Sequence, residues 1–545
     1  MMESVDLILT NANILTLDQQ NRRAGSLSVS NGRITGVWNE PEPAFSISPN
    51  TEVINLKGKT VIPGFIDTHN HILPYSLNKS KVDCSTPPNQ NINDILERIK
   101  DRATKTPEGD WILGFGYDDT LLQEKRHPTR MELDSVAPNH PVYMNHISSH
   151  FAVVNSRALE LAGIGENVQD PQGGFFGRDG NGRLNGVLYE IPVMEYVLKV
   201  IPTPTIDEMV TMLGKASKDF LAQGITTNTD AAVGLTFGEN EFDVHIRAAR
   251  EGINPMRAQL MLMHNLLRKG GKFGHLNAEE LNSKIMKLSN GKARLDSAKL
   301  FQDGSIQGLT GALREPYYNN PNEVGGLIHH QEEFNEEILD LHNRGFRIAI
   351  HGNGDRAIGS ILDGYAHALE KSPRTDHRHR IEHVQTGTIE DLDRMQNLGV
   401  AGSVFINHVY YWGDRHKRLF LGPERASRIS PLADMAERNL LFTLHSDCPV
   451  TPISPLFSVW AAVNRLTKDG EVLGSNQRID VTTALKAMTI YGAQLNFTEK
   501  DNGSIEIGKQ ADFAILEEDP TQVNPIDIKD IPIQSTIIGG KVVYE

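Results

Sequence analysis

The chain has 545 residues, of which 39% are hydrophobic and 23% charged, a balance that excludes a largely disordered protein. No window approaches about 18 uncharged apolar residues, so the sequence predicts no membrane span. The net charge of −15 disfavours nucleic acid as a partner, because an acidic surface repels phosphate.

Residues 1–58 predict a set of short strands joined by tight turns. Asn31-Gly32 stands between two alternating runs, which is a strong hairpin signal. Residues 500–545 show the same pattern of short strands. Neither segment is long enough to bury a stable core alone, so we expect the two to combine into one β-sandwich domain.

Residues 59–499 alternate apolar runs with helical patterns, and this alternation predicts a parallel sheet. Eight strand candidates indicate an α/β protein built on a closed (β/α)8 TIM barrel. The strand candidates are residues 60–67, 142–145, 224–229, 298–301, 346–351, 379–384, 400–405 and 440–445. Helical patterns between them include residues 206–221, 332–343 and 388–398.

The candidate strands are unevenly spaced. The 228 positions from His71 to Lys299 are far more than three β/α units need. The excess lies around residues 75–140 and 163–200. Barrel enzymes carry specificity in such insertions, so we expect an insertion over the C-terminal face of the barrel.

The strongest chemical signal is Asp67-Thr68-His69-Asn70-His71, at the end of an apolar run. Side chains alternate along a strand, so Asp67, His69 and His71 share one face. Two imidazoles at this spacing can hold one metal, with a carboxylate nearby to orient them. The alternative is a set of ordinary polar residues at a strand end.

Three further residues sit at strand ends. His351 and His383 each close an apolar run and are 32 residues apart, about one β/α unit, so we expect them on neighbouring strands. Asp447 follows the last strand candidate and could bind metal and accept a proton. Its alternative role is that of a helix-capping or turn aspartate.

Lys299 lies inside an apolar strand candidate, where a lysine is costly unless it is paired. One interpretation is an ion pair with Asp303 or Asp447. The other is a carbamylated lysine whose new carboxylate bridges two metals. The spacing leaves both open.

Taken together, these segments resemble the amidohydrolase superfamily of metal-dependent hydrolases, and more narrowly amidohydrolase family 3 (YtcJ-like). The resemblance covers nearly the whole chain. The matching segments are 57–69, Lys299 with Asp303-Gly304-Ser305, His351 with Gly354-Asp355-Arg356, Glu382-His383, residues 446–450 and residues 503–513. Departures include His445, where the family usually has glycine. At the departing positions, the sequence also resembles the sub-branch of the family that contains N-substituted formamide deformylases.

The resemblance implies one or two metals on the C-terminal face of the barrel. It assigns the metal ligands residue by residue as His69, His71, Lys299, His351, His383 and Asp447. Lys299 would be N6-carboxylated, and Asp447 would also act as general base and acid. Two Zn²⁺ per chain is the favoured content, although Fe²⁺, Mn²⁺ and Co²⁺ accept the same ligands.

The implied activity is hydrolysis of an amide or formamide C–N bond in a small molecule. Metal lowers the pKa of bound water and so provides hydroxide, and Asp447 would pass a proton to the departing amine. His150 is our candidate donor to the oxyanion, with a structural role as its alternative. The candidate substrate-binding residues are Tyr117, His408, Tyr411, Trp412 and Asp414.

Other functions compete with this one. A deaminase or an esterase could use the same metal site, and a metal-binding regulatory protein could keep the barrel without turnover. We expect a small-molecule substrate, no nucleic acid and no membrane, with a homodimer as one expectation. Two cysteines, Cys84 and Cys448, are too few for a disulfide scaffold and suggest a cytoplasmic protein.

Overall fold

The computed structural model describes residues 5–41, 49–119, 121–147, 151–171 and 174–545. The chain divides into two compact units. One consists of Met1–Leu73 with Leu213–Glu545, and the other of Pro74–Met212. None of the described helices is both long enough and apolar enough to cross a bilayer.

An eight-stranded parallel sheet forms the centre of the first unit, and it confirms the predicted TIM barrel. Its strands are β1 Phe65–Asn70, β2 Ile225–Val233, β3 Arg257–Met263, β4 Ala293–Phe301, β5 Ile348–Gly352, β6 Arg380–His383, β7 Ala401–Val404 and β8 Phe442–Leu444. Each strand pairs with the next in order, and β1 and β8 are the two ends. The hydroxyls of Thr68 and Thr443 are hydrogen-bonded at 2.8 Å, which links these two ends.

One of the eight strand predictions was wrong about the sheet, and one barrel strand was not predicted. Residues 142–145 do form a strand, Val142–His146, but it belongs to a sheet of the second unit. The barrel strand Arg257–Met263 was missed. Its sequence, Arg-Ala-Gln-Leu-Met-Leu-Met, has no β-branched residue and favours a helix by intrinsic propensity. Pairing with strands on both sides overrides that preference.

The run 60–67, predicted as one strand, is divided. Thr60–Pro63 lies in a separate sheet, and β1 begins at Phe65. Gly64 makes the transition, where a β-carbon would stand 2.2 Å from the side chain of Thr226. Only glycine allows this close approach to β2.

The two ends of the chain share a sheet. Thr60–Pro63 pairs antiparallel with Phe513–Leu516. The strands of this six-stranded sheet are, in order, Lys541–Tyr544, Ile533–Ile538, Phe513–Leu516, Thr60–Pro63, Asn13–Leu15 and Arg23–Ala24. A four-stranded sheet has the order Arg33–Trp38, Ser26–Ser30, Leu7–Thr10 and Glu52–Asn55. One buried cluster includes side chains from both sheets, such as Leu9 and Phe513.

The helices of this unit separate successive strands of the barrel or follow its last strand. They are Glu239–Arg250, His264–Leu267, Ala278–Leu288, Gln331–Asn343, Asp355–Lys371, Ile389–Leu398, His408–Arg415, Gly422–Ala426, Leu432–Glu437, Pro455–Asn464, Val481–Ala487 and Ile490–Leu495. A π-helical turn spans His416–Phe420, and 3₁₀ turns span Ser475–Gln477 and Pro525–Asp530. Helix Ile389–Leu398 begins at a capping box of Thr388 and Asp391, which satisfies free amide groups of its first turn.

The second unit, Pro74–Met212, is built on its own six-stranded sheet. The strands are, in order, Phe175–Arg178, Leu184–Tyr189, Phe151–Val154, Val142–His146, Ile112–Tyr117 and Val82–Asp83. Its helices are Ile92–Ala103, Arg130–Val136, Ser156–Leu161 and Ile191–Leu198, and the helices Ile72–Ser80 and Ile206–Leu221 extend across its two boundaries. Two buried clusters line the sheet. The placement of this unit over the barrel face stays a prediction.

Candidate metal centre

Six polar side chains meet at the carboxyl end of the barrel, which is the end that carries the active site in enzymes of this fold. They come from β1, β4, β5, β6 and the segment after β8, and they are His69, His71, Lys299, His351, His383 and Asp447. All six belong to the set predicted from the sequence.

His69, His71 and Asp447 form one close group. Asp447 Oδ1 lies 3.1 Å from His71 Nε2 and 3.3 Å from His69 Nε2. The potential ligand atoms of the three residues lie within 4.8 Å of one another. Burial disfavours the charged carboxylate, but the two imidazoles outweigh burial and hold the pKa of Asp447 well below its usual value. The group combines two imidazoles with a charged carboxylate, a donor set that suits Zn²⁺.

The backbone brings these three residues together. His69 and His71 are two positions apart at the exit of β1, as alternation along a strand requires. The His71 amide donates to the Cys448 carbonyl at 2.7 Å, which ties the exit of β1 to the segment that follows β8. Asp447 has a left-handed backbone, with φ of 53°. Such a conformation costs a non-glycine residue about 1–2 kcal/mol, so the surrounding structure holds this carboxylate in place.

Glu382 fixes the orientation of His69. Its Oε2 lies 2.5 Å from His69 Nδ1, so the other ring nitrogen faces Asp447. Arg380 donates to Glu382 Oε1 at 2.5 Å and to Asp296 at 2.8 Å, and Arg347 donates to Asp296 at 3.1 Å. Burial opposes ionisation of Glu382, but Arg380 and His69 together outweigh burial and keep the pKa of Glu382 well below normal. A carboxylate behind an imidazole is typical of metal-binding histidines.

His351 and His383 form a second pair. His351 Nδ1 and His383 Nε2 face each other at 3.0 Å. His351 Nε2 lies 3.2 Å from the Gly304 carbonyl oxygen and 2.9 Å from Asn353 Nδ2. Burial lowers the pKa of His351 to about 3. The pair is therefore neutral, which is the state in which histidine binds metal.

Lys299 is completely buried. Its Nζ has no hydrogen-bond partner in the described residues and lies 4.9 Å from the centre of the Phe301 ring. Burial lowers the pKa of Lys299 to about 8. The ion pair with Asp303 that the sequence allowed is not formed. Asp303 instead accepts hydrogen bonds from the backbone amides of Asn353, Gly354 and Ala312.

Unpartnered polar atoms concentrate at this centre. Within the described ranges, Lys299 Nζ, His383 Nδ1 and both ring nitrogens of His445 are buried without a hydrogen-bond partner. Buried polar groups are almost always hydrogen-bonded, and a cluster of exceptions indicates a site that binds something else. The residues therefore fit a metal centre of the kind predicted.

His445 is a member of this centre that the sequence did not assign to a role. Its ring stacks on that of His69, with centroids 4.5 Å apart, and packs against Phe405 at 5.2 Å. Its ring nitrogens also lie near Glu382, in a second group of potential ligands that includes His69. The signal was present in the sequence as a departure from the family pattern, but the pattern alone did not show where the ring would point.

The predicted substrate residues are in different surroundings. His408, Tyr411 and Trp412 lie on helix His408–Arg415, which follows β7, and Asp414 accepts a hydrogen bond from the Asp469 amide at 3.1 Å. Tyr117 is buried in the core of the second unit, where its hydroxyl is 3.0 Å from His127 Nδ1. This burial gives Tyr117 a packing role, and its contact with substrate stays a prediction. His150 lies outside the described residues.

Comparison with known proteins agrees with this geometry. The model of the amidohydrolase family matches residues 52–544. N-substituted formamide deformylase of Arthrobacter pascens is 30% identical over 556 aligned positions, covering 100% of this chain and 99% of that protein. Putative amidohydrolase YtcJ of Bacillus subtilis is 28% identical and covers 98% of both chains. The crystal structure of an uncharacterized metal-dependent hydrolase from Pyrococcus furiosus has a TM-score of 0.76 at 27% identity, covering 95% of this chain and all of that one.

Proposed function

The chain belongs to the amidohydrolase family, which makes it a hydrolase, and we propose that it hydrolyses the C–N bond of small N-substituted formamides in a metal-dependent reaction. The observation that carries the proposal is the convergence of His69, His71 and Asp447, whose potential ligand atoms lie within 4.8 Å of one another. The similarity to a formamide deformylase over the full chain supports this choice of substrate class.

The proposed metal content is two Zn²⁺ per chain. His69, His71 and Asp447 would hold one ion and His351 and His383 the other, a mixture of imidazole and carboxylate that suits zinc. A divalent metal in such a site lowers the pKa of water toward about 7 and polarises a carbonyl group.

Lys299 would supply the bridging ligand. Its amine nitrogen adds to the carbon of CO₂, a new N–C bond forms, and the nitrogen loses a proton to give a carbamate. The side chain then offers two anionic oxygens in place of an amine. Complete burial and the lack of a hydrogen-bond partner in the described residues support this assignment, because they leave the unmodified amine unstabilised.

Asp447 would move the proton. Its carboxylate accepts a proton from the water that attacks the carbonyl and delivers that proton to the amine nitrogen as the C–N bond breaks. An unprotonated amine is a poor leaving group, so this transfer is needed for turnover. Glu382 holds the neighbouring His69 through Nδ1, which leaves the Nε2 lone pair of that imidazole available to bind a metal.

If the acyl group of the substrate lies against His445, the packing there would favour a small one. Its ring fills the space between His69 and Phe405, with ring centroids 4.5 and 5.2 Å away. A formyl group carries only hydrogen on its carbonyl carbon, whereas an acetyl group adds a methyl that must displace packed rings. Overpacking of this kind typically costs about 1–3 kcal/mol.

The test combines metal content with hydrolysis. Elemental analysis should give about two metals per chain for the wild type and for Lys292→Ala, which replaces an exposed lysine, and a lower content for Lys299→Ala. Formate release from N-phenylformamide should exceed acetate release from N-phenylacetamide by at least tenfold. A protein that binds no metal when metal is supplied during purification, or that prefers the acetamide, would contradict the proposal.

A further inference from the structure

A buried pair of histidines lies beside the metal centre. Helix His408–Arg415 runs directly into the π-helical turn His416–Phe420, in which the Leu421 amide donates to the His416 carbonyl at 2.9 Å. The rings of His408 and His416 stack with centroids 5.4 Å apart. His408 Nδ1 and His416 Nε2 are 3.1 Å apart. π-helical turns often occur at functional sites.

The hydrogen bond between the rings defines which nitrogen carries each proton. His416 Nδ1 is buried and has no partner in the described part of the chain. A buried N–H without an acceptor is rarer and more costly than an acceptor without a donor. His416 therefore carries its proton on Nε2 and donates it to His408 Nδ1. A neutral His408 must then carry its own proton on Nε2.

Both rings are neutral near pH 7. Burial lowers the pKa of His416 to about 3, and Arg415 contributes in the same direction. Burial and the neighbouring His416 hold the pKa of His408 well below its usual value. No hydrogen bond joins His408 Nε2 to another described residue, so its N–H is left to donate elsewhere.

Phe405 connects this pair to the candidate ligands. Its ring meets His408 edge to face, with centroids 4.4 Å apart. On its other side it stacks on His445 at 5.2 Å and lies 5.8 Å from His383. His408 is thus separated from a candidate metal ligand by a single ring.

The backbone on which His408 stands is fixed. The side chain of the preceding Asn407 donates to Thr451 Oγ1 at 2.9 Å and accepts a hydrogen bond from Ser458 at 3.0 Å. Thr451 in turn donates to the Ser446 carbonyl at 2.5 Å. The exit of β7 is therefore linked to the segment that carries Asp447, which gives His408 a defined position relative to that carboxylate.

We propose that His408 donates its Nε2–H to the carbonyl oxygen of the substrate, and that His416 is a positioning residue that fixes this tautomer of His408. The proposal rests on the hydrolase function proposed above. As water adds to the carbonyl carbon, the carbonyl oxygen gains negative charge and the hydrogen bond that it accepts from His408 becomes stronger. No proton is transferred from His408 to this oxygen. A preorganised donor of this kind is worth about 100- to 1,000-fold in rate.

The first test reads the tautomer directly and needs no substrate. In zinc-loaded protein labelled with ¹⁵N at histidine, ring signals lost in His408→Phe identify His408. We expect a protonated Nε2 and a bare Nδ1 in the wild type, a mixture of tautomers in His416→Leu, and the wild-type pattern in His416→Gln, whose amide can still donate. Phe420→Leu removes a ring 5.8 Å from His416 without removing the donor, so it should keep the wild-type pattern. A protonated Nδ1 on His408 in the wild type would overturn the assignment.

The second test is kinetic and uses N-phenylformamide. His408→Phe keeps an aromatic ring and should lower kcat about 100-fold or more with unchanged metal content. His416→Leu should lower kcat about tenfold, and His416→Gln should restore most of it, with KM changed by less than threefold in each. An unchanged kcat in His408→Phe, or an equal loss in Phe420→Leu, would overturn the donor role.

A wild type that releases no formate would instead refute the proposed function, whereas the ¹⁵N spectra would still decide the role of His416.

Discussion

Strand β6 places histidines in opposite situations at its two ends. At its carboxyl end, His383 Nε2 faces His351 Nδ1 at 3.0 Å, and its Nδ1 has no partner in the described residues. Just before its start, His379 accepts the Ile348 amide on Nδ1 at 3.1 Å, and its Nε2 donates to His342 Nδ1 at 2.9 Å. Both rings are fully buried, and burial holds the pKa of each well below its usual value. The two histidines differ in their hydrogen bonds alone.

This difference separates a histidine whose ring nitrogens are both hydrogen-bonded from a histidine that is a candidate metal ligand. At the His379 end, the chain of hydrogen bonds closes when His342 Nε2 donates to the Ser372 carbonyl at 2.7 Å, so every ring has one tautomer and no free lone pair. At the His383 end, His383 Nε2 contacts His351 Nδ1, and His383 Nδ1 has no partner in the described residues. Burial and a perturbed pKa are therefore poor guides to function by themselves, and the unpartnered nitrogen of His383 distinguishes the candidate metal-binding end.

Loss of a candidate ligand should have the largest effect. His383→Ala removes a ring with one nitrogen that has no partner in the described residues, so we expect the metal content to fall from about two to about one per chain by elemental analysis. The value of kcat/KM for N-phenylformamide should fall about 1,000-fold or more, because the Lewis-acid contribution is worth several kcal/mol and each 1.36 kcal/mol is a factor of ten. His330→Ala, at an exposed position, is the matched control and should change neither quantity.

The other end of β6 should respond in the opposite way. His379→Ala removes two buried hydrogen bonds and leaves a cavity, so its free energy of unfolding in urea should fall by about 3 kcal/mol. Its metal content should stay at the wild-type level. If His379→Ala loses metal as His383→Ala does, hydrogen bonding of both ring nitrogens does not distinguish a structural histidine from a candidate metal ligand.

Replacing the carboxylate behind His69 should have an intermediate effect. Glu382→Gln keeps the size of the side chain but removes the charge that Arg380 and His69 both contact. We expect metal affinity to fall about 10- to 100-fold, the usual effect of losing such a partner, as measured by competition with a chelator. Glu390→Gln, an exposed glutamate, should leave the affinity unchanged. An unaltered affinity in Glu382→Gln would mean that the imidazole is held by packing alone.

Sequence patterns predicted the strands correctly where the intrinsic propensity of a segment agrees with its place in the fold. Apolar runs identified β1 and β4 through β8, and the carboxyl ends of all these strands except β7 lead into or carry the candidate ligands. Arg257–Met263 escaped because its side chains prefer a helix, and only its two neighbours make it a strand. Residues 142–145 were assigned to the wrong sheet because an apolar run does not reveal which sheet it joins.

The side chains that converge at the candidate site were predictable one by one, but the residues that contact them from behind were not. His69, His71 and Asp447 follow from strand alternation and position. Glu382 lies beside a candidate ligand in the sequence, yet its contact is with His69, 313 residues away, and no local pattern encodes a pairing across the barrel. The same holds for His445, whose stacking on His69 depends on the closure of β8 against β1.

The smallest expected effect is a pH dependence of stability. His379 is neutral in the folded state, where burial, His377 and Arg374 hold its pKa far below the ordinary value, and it is protonated below about pH 6.5 once unfolded. The unfolded state then binds more protons, so this residue's contribution to stability is present above pH 6.5 and is lost as the pH falls, by about 1.4 kcal/mol per unit.

In metal-free protein, the other buried histidines contribute equally to the wild type and to His379→Gln, so the difference between the urea denaturation curves of these two proteins isolates the contribution of His379. The variant should be less stable at pH 7 and should lose stability less steeply, so that the two profiles converge below pH 6. Parallel profiles would mean that His379 accepts no extra proton on unfolding, and that the hydrogen-bonded chain at the start of β6 is not what keeps this ring neutral.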